Sequence, residues 1–298
     1  MIDRRMMLGG LFLGGAAMAA GAPALAAGTL STGTLTAGPR RARAGAALDL
    51  ESPEGRLRNF IRIRGALDEG LVIGWASARY YGVIEDRMDP LFAVVSATFA
   101  RWRAVADGYE AVSYELAWFT DAVTGKAMDT FRNPYTGKDC KVPTGGLAPA
   151  KFRIGRDLSF HLGRTVPGLQ MEHDVLPFEA RGDDVWVLER SRTAMPIPGL
   201  ARPFRYSESN TFHARRADLA RPGATRVTSE VSYTNVCSWR PWLEMGDHPG
   251  HLTATGIGRQ NAAPESLPPA WVEATRARRP EVLENPAAIL QPLWDAKG

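Results

Sequence analysis

The sequence predicts a mainly β fold: an antiparallel, barrel-like sheet of lipocalin or calycin kind, with a short N-terminal helix and further helices at the C-terminus. Three observations predict it. Runs dense in β-branched and aromatic residues recur at Leu71 to Ile84, Leu91 to Val105, Tyr109 to Thr120, Phe152 to Val166, Asp184 to Met195, Phe204 to Arg215 and Arg226 to Trp239, with turn residues between them. Two similar turns, Thr124-Gly125-Lys126 and Thr136-Gly137-Lys138, allow hairpin-like connections in which glycine supplies positive φ, so neighbouring strands pair in sequence. Strands do not alternate with helices and no glycine-rich phosphate loop is present, which disfavours parallel nucleotide-binding folds.

At the N-terminus, Arg4-Arg5 precede an uncharged stretch from Met6 to Ala27 that is diluted by Gly9, Gly10, Gly14, Gly15 and Gly21 and ends in Ala24-Leu25-Ala26. A membrane span needs about 20 strongly apolar residues. Paired arginines, a weak apolar core and small residues at the cleavage positions instead predict a twin-arginine signal peptide over residues 1–26. The expected partner is the twin-arginine export machinery and the expected location is periplasmic or secreted. Residues 27–47 lack large apolar side chains and read as a disordered linker, whose Arg40, Arg41 and Arg43 could brush an anionic membrane surface. Residues 48–298 are long enough for one β-rich domain. The formal net charge of +4 gives no reason to expect nucleic acid.

Within that domain, Ser52 and Pro53 start a helix bearing Leu57, Phe60 and Ile61 on one face. In Tyr109 to Trp118, alternation sets Glu110, Val112, Tyr114, Leu116 and Trp118 on one side of a strand. Helix returns in Ala270 to Arg279 and in Glu284 to Ala296, the latter broken by Pro286 and Pro292, and these pieces should pack outside the barrel or plug one end. Cys140 and Cys237 could form a disulfide or remain two thiols, and their spacing does not suggest a metal site.

A curled sheet of this size can hold one small ligand. The eight tryptophans predict an aromatic lining suited to a small apolar or aromatic molecule, with Trp118, Trp239, Trp242 and Asn133 as ligand-binding candidates. The richest segment is Trp239 to His251, where Pro241 and Pro249 break pairing and Gly246 and Gly250 permit tight turns. It reads as a structured loop over a barrel mouth. Its pattern Trp-x-Pro-Trp-x-x-Met-Gly-x-x-Pro-Gly-His, with Phe131-Arg132-Asn133-Pro134-Tyr135-Thr136-Gly137-Lys138 upstream, resembles the family called domain of unknown function 1838, over about Leu48 to Pro286. The resemblance implies no activity.

Chemistry is therefore read from residues. Asp247, His248 and His251 share one loop, where a carboxylate could orient an imidazole base, while two histidines alone are a poor metal set. Glu172-His173-Asp174 could supply a carboxylate-oriented base in the same way, but it sits between polar residues and reads more as a solvated cluster. Arg132, Asn133 and Tyr135 could hold an oxygen anion, or could simply be turn residues. Two functions follow: a binding barrel, or a cofactor-independent lyase, isomerase or hydrolase in the same pocket. In the second, Asp247, His248 or His251 would act as acid-base group, with Arg132 or Tyr135 polarising an oxygen. No flavin, molybdenum, haem or iron–sulfur motif is visible, so no cofactor is expected.

Overall fold

The computed structural model describes residues 48–143, 148–198, 200 and 202–296. The predicted signal peptide and linker, residues 1–47, lie outside the described residues. Among the described residues no helix is long and apolar enough to cross a membrane.

Helix α1 (Pro53–Arg64) begins where expected: the Ser52 side chain accepts a hydrogen bond from the Gly55 amide and Pro53 occupies the first turn. The strands are β1 (Val72–Ile84), β2 (Arg87–Val105), β3 (Gly108–Thr120), β4 (Thr130–Arg132), β5 (Asp139–Lys141), β6 (Ala150–Gly155), β7 (Phe160–Leu162), β8 (Gln170–Val175), β9 (Glu179–Arg181), β10 (Asp184–Met195), β11 (Phe204–Arg215), β12 (Ser229–Cys237) and β13 (His251–Gln260). The short helix α2 (Arg216–Leu219) follows β11, and α3 (Pro269–Arg278), α4 (Pro280–Glu284) and α5 (Pro286–Asp295) end the chain.

The main sheet is an antiparallel, nearly closed barrel with strand order β7-β6-β3-β2-β1-β13-β12-β11-β10-β8, and β9 pairs with the far end of β10. Two meanders, β1 to β7 and β8 to β13, are joined where β1 pairs with β13, from Trp75 opposite Arg259 to Val83 opposite His251. The strands at the two ends of this order, β7 and β8, are consecutive in sequence but share no ladder. Phe160 and His173 bridge that seam with ring centroids 5.5 Å apart.

Several elements differ from expectation. The run Phe152 to Val166 is two short strands, because a turn at Arg156 to Ser159 intervenes. Strand β13 was not predicted: Gly256 and Gly258 dilute its alternation. Both glycines are required, since a Cβ at Gly256 would lie 2.3 Å from the Ser77 carbonyl oxygen and one at Gly258 would lie 2.3 Å from that of Trp75. Pro292 sits inside α5 rather than ending it. The helix loses one internal hydrogen bond there, but burial of Leu290 and Trp294 holds it in place.

Both barrel ends are closed by apolar layers. At one end α1 inserts Phe60, Ile61 and Ile63 among Val72, Trp102, Phe152, Val187 and Phe212. At the other, the loop after β12 inserts Trp242, Leu243 and Met245 beside Phe92, Phe119 and Phe131. Gly246 at φ 57° and Gly250 at φ 97° make the tight turns of that loop. The hairpin of β4 and β5 is clamped to the loop by Asn133, whose Nδ2 donates to the Leu243 carbonyl at 2.7 Å.

The C-terminal helices pack outside the barrel. Trp271, Val282, Leu290 and Trp294 cover the outer face of β2 and β3, against Phe99, Val112, Tyr114, Leu116 and Trp118. The face identified in the sequence from Glu110 to Trp118 is therefore this outer face, and the residues between them point inward.

The close approach of β13 to β1 yields a prediction. Gly256→Ala should lower the unfolding free energy by about 1–3 kcal/mol, as for overpacking, while Thr255→Val on the exposed neighbouring position should change it by less than about 0.5 kcal/mol. Urea titration of both variants measures this, and equal midpoints would contradict the packing described.

Candidate functional site

Between the two apolar layers runs a belt of polar side chains, all on inward strand positions or reaching in from the ends. Alternation along β3 places Ala111, Ser113, Glu115 and Ala117 inside, and along β11 it places Tyr206, Glu208, Asn210 and Phe212 inside. Register then sets Glu208 opposite both Ser191 of β10 and Asn235 of β12. Glu115, Glu189, Glu208, Asn235 and Arg240 are all at least 95% buried.

The belt has two hydrogen-bonded groups. In one, the Arg64 Nε donates to Glu189 Oε2 at 2.9 Å, and His173 Nε2 meets Glu189 Oε1 at 3.0 Å. Burial by itself would raise the Glu189 pKa, but Arg64 and His173 beside it hold the carboxyl down at about 2. In the other, Tyr206 donates to Glu208 Oε2 at 2.8 Å and its hydroxyl lies 2.6 Å from that of Tyr233. Asn235 Nδ2 reaches the hydroxyls of Tyr80, Tyr206 and Tyr233, and Arg240 Nη2 donates to Tyr80 at 3.2 Å. The Arg240 guanidinium also lies over the Tyr80 ring, 5.3 Å from its centroid. Burial pushes the Glu208 pKa up to about 7, with Tyr206 opposing and the Glu189 charge reinforcing it.

A cavity of about 60 Å³ adjoins these groups, lined by Arg64, Ser96, Glu115, Asn210, Tyr233 and Gln260 among others. Small residues make the room: Gly74 and Ala76 of β1 face it. Among the described residues, Ser113, His173, Asn235 and Arg240 each leave one buried atom unpartnered, and Glu115 leaves two. Neither of its carboxyl oxygens makes a well-formed hydrogen bond among the described residues, the Ser96 hydroxyl interacting with it only weakly. Burial, then the charge of Glu208, raises its pKa to about 8, partly opposed by Ser96, Arg240 and Arg64. A buried carboxyl of this kind that keeps its proton at neutral pH can donate a hydrogen bond, or give up the proton to meet a positive group.

The structure distributes the predicted site residues differently. Tyr135, Trp239 and His248 do come together, with Tyr135 5.5 Å from Trp239 and 5.6 Å from His248 between ring centroids. They do so on the outside of the end loop, where Tyr135 also donates to Asp89 at 3.2 Å and its pKa is pushed up to about 12, by burial and then by Asp89. Arg132 is exposed and paired with Asp139. Asp247 is exposed, and His251 projects from the outer face of β13. Asn133 is a scaffold residue that ties hairpin to loop.

Trp242 is buried in the closing layer, and Trp118 lies under α3, donating to Thr275 at 2.8 Å. None of Trp118, Trp239 and Trp242 lines the cavity, whose walls mix the polar groups with Trp75, Phe212, Val231 and Tyr233. His173, expected to be solvated, is buried, because Glu172 and Asp174 point outward to Arg192 and Arg190 while the residue between them points in. Cys140 and Cys237 are two buried free thiols.

The belt residues were missed in the sequence because each stands alone in its own strand. The available signal was an acid among the inward positions of an alternating run: Glu115 between Ser113 and Ala117, Glu208 between Tyr206 and Asn210, and Glu189 between Val187 and Ser191.

Linkage fixes the sign of a pH effect. Because folding raises the Glu115 pKa from about 4.5 to about 8, the folded state binds more protons in that interval, and stability falls as pH rises through it. Glu208 adds a similar decline that ends near 7. Glu115→Gln should flatten the urea-measured stability between pH 5 and 8 by a few kcal/mol in total, at about 1.4 kcal/mol per pH unit for one group. An unchanged pH profile in the variant would show that the Glu115 carboxyl is not held in its neutral form.

Comparisons with known proteins follow this geometry. No curated protein matches the chain. Among solved structures, a protein of Bacteroides fragilis NCTC 9343 described as a "putative exported protein with YmcC-like fold" aligns with 66% of this chain and 99% of its own, at 11% identity and a TM-score of 0.21. The family model described as "Protein of unknown function (DUF1838)" matches residues 68–160 and 200–292, which take in β1 to β6 and β11 to β13 and the loops that close the barrel beside them. With more than half of its length matched, the chain belongs to the DUF1838 family.

Proposed function

We propose that this protein is an exported barrel that binds one small polar molecule in its interior cavity. The observation that carries the reading is Glu115: a carboxyl 2% exposed, facing a cavity, with neither oxygen in a well-formed hydrogen bond among the described residues. Leaving such a group unsatisfied costs about 1–3 kcal/mol or more, a cost that a bound molecule would offset. The walls mix apolar and polar groups, and it is the unsatisfied carboxyl together with the Arg64 guanidinium that favours a polar ligand over the apolar or aromatic one suggested by the tryptophan count. At roughly 10–15 Å³ for each water-sized sphere, the cavity admits a molecule of only a few non-hydrogen atoms.

Native mass spectrometry of protein purified from its own host tests this. A small adduct should be present on the wild type and absent from Glu115→Leu, which removes the carboxyl and fills space. If the wild type carries no adduct and no small polar molecule raises its melting temperature, the binding reading fails.

A second reading, acid-base catalysis in the same cavity, is favoured by one observation: Glu115 and Glu208, held near 8 and 7, are a pair of carboxyls tuned for proton transfer at neutral pH. In it, Glu115 would be the acid and Glu208 the base. Asp247, His251 and Arg132 would have no direct part, since they lie on the outer surface. Turnover of a bound molecule that is lost in both Glu115→Gln and Glu208→Gln would separate this reading from simple binding.

Export through the twin-arginine route is supported by Arg4-Arg5 and by the small residues at 24 and 26. Replacing Arg4 and Arg5 by lysine should retain the protein in the cytoplasm, as read by cell fractionation. Undiminished export of that variant would rule the route out.

A further inference from the structure

The polar belt holds more uncommitted hydrogen-bonding capacity than Glu115 alone. Arg64 also lines the cavity, and its Nε is committed to Glu189 while its two terminal nitrogens donate no hydrogen bond among the described residues. The guanidinium is planar and suited to a bidentate partner. The cavity therefore presents an unpartnered pair of acceptors on β3 and an unpartnered pair of donors from α1.

The charges of the belt are equally informative. Its cations are Arg64 and Arg240, and its carboxyls are Glu115, Glu189 and Glu208. Arg64 offsets Glu189, Glu208 accepts from Tyr206 and Asn210, and Arg240 lies against Tyr80. With every carboxyl ionised and His173 neutral, the belt has one negative charge in excess. A ligand that offers a cation to Glu115 and an anion to Arg64 uses both free sets and pairs each charge locally, while leaving the net charge of the belt unchanged.

On the reading that the cavity binds a small polar molecule, we propose that its ligand is a small zwitterion, an amino acid of about six non-hydrogen atoms or fewer, with its ammonium on Glu115 and its carboxylate on Arg64. Glycine and β-alanine are of that size. The remaining lining suits the same molecule. Gln260 gives its Nε2 to the Arg64 carbonyl and Asn210 gives its Nδ2 to Glu208, so each has a carbonyl oxygen left to accept from an ammonium.

Binding is then coupled to a proton. An ammonium requires the ionised carboxylate, so Glu115 must release its proton when the ligand enters. The charged and titratable groups facing Glu115 from the packed elements are Arg64 of α1, Glu208 of β11, Tyr233 of β12 and Arg240 of the end loop. Of these, Glu208 opposes the ionisation and the two arginines favour it.

Isothermal titration calorimetry of the full-length mature protein tests the proposal, with glycine, β-alanine, methylammonium, acetate and acetamide as probes in two buffers of different ionisation enthalpy. Glycine or β-alanine should bind at least tenfold more tightly than the other three, with release of about one proton at pH 6–7. Affinity should rise about tenfold per pH unit up to near 8. Glu115→Gln should lose at least tenfold in affinity and lose the proton release, and if that variant does not fold, the pH profile of the wild type carries the test. Acetamide binding as well as glycine, without proton release, would overturn the zwitterion while leaving a polar-ligand barrel intact. No binding by any probe, together with no adduct on the native protein, would overturn both.

Discussion

The pairing of β1 with β13 is the constraint on which the rest of the structure depends. Each meander alone would be a curved sheet with one face of polar residues and two open edges, a form prone to non-native pairing. Joined along their chain-terminal strands, they curl into one wall, and Glu115 from the first meander comes to face Glu208 and Tyr233 from the second. On the inner face of the joint small residues stand opposite one another, Ala76 against Gly258 and Ala78 against Gly256. That choice lets the backbones approach closely and leaves the space that becomes the cavity. A bulky residue at either glycine would therefore disturb wall and cavity together.

The interior is layered as a consequence. Apolar plugs from α1 and from the loop after β12 exclude water at the two ends, and the low-dielectric space between them strengthens each polar contact and raises the cost of each one missing. Glu189 illustrates the first effect, being held ionised by Arg64 and His173. Glu115 illustrates the second. A purely structural core would gain nothing by keeping a carboxyl there, since apolar residues of similar volume are as stable or more so in such places. The tyrosine group around Asn235 has another character: its three hydroxyls and the Asn235 amide nitrogen bond to one another and fix the inner faces of β1, β11 and β12 relative to one another.

Much of the wall could be read from the sequence. Asp184–Met195 and Phe204–Arg215 have the predicted limits, because dense β-branched and aromatic residues mark them and turns bound them cleanly. Ser52 and Pro53 announce α1, and the two prolines and two glycines of the loop after β12 announce a structured end piece. What escaped was whatever depends on which strands become neighbours. Strand β13 is hidden by its glycines, whose reason is the backbone of β1. The site is hidden because Glu115, Glu189, Glu208 and Arg64 come from four elements far apart in sequence. The residues that looked most chemical, Asp247, His248, His251 and Arg132, are crowded in sequence because they form turns at the surface. His173 shows how far local context misleads: two charged neighbours suggest solvent, yet alternation alone turns it the other way.

The seam between β7 and β8 gives the wall an unequal mechanical resistance. Elsewhere in the circuit, parting two neighbouring strands means breaking a ladder of backbone hydrogen bonds, and both end plugs are tied in by further bonds such as Asn133 to Leu243 and Arg62 to Leu219. At the seam no backbone ladder joins β7 and β8 among the described residues, and the ring of Phe160 packs against that of His173. Lateral opening there needs no backbone bond to break. It does move His173, and with it the bond to Glu189 that helps hold Arg64 in position beside the cavity. One imidazole thus links the seam of the wall to the ion pair beside the cavity.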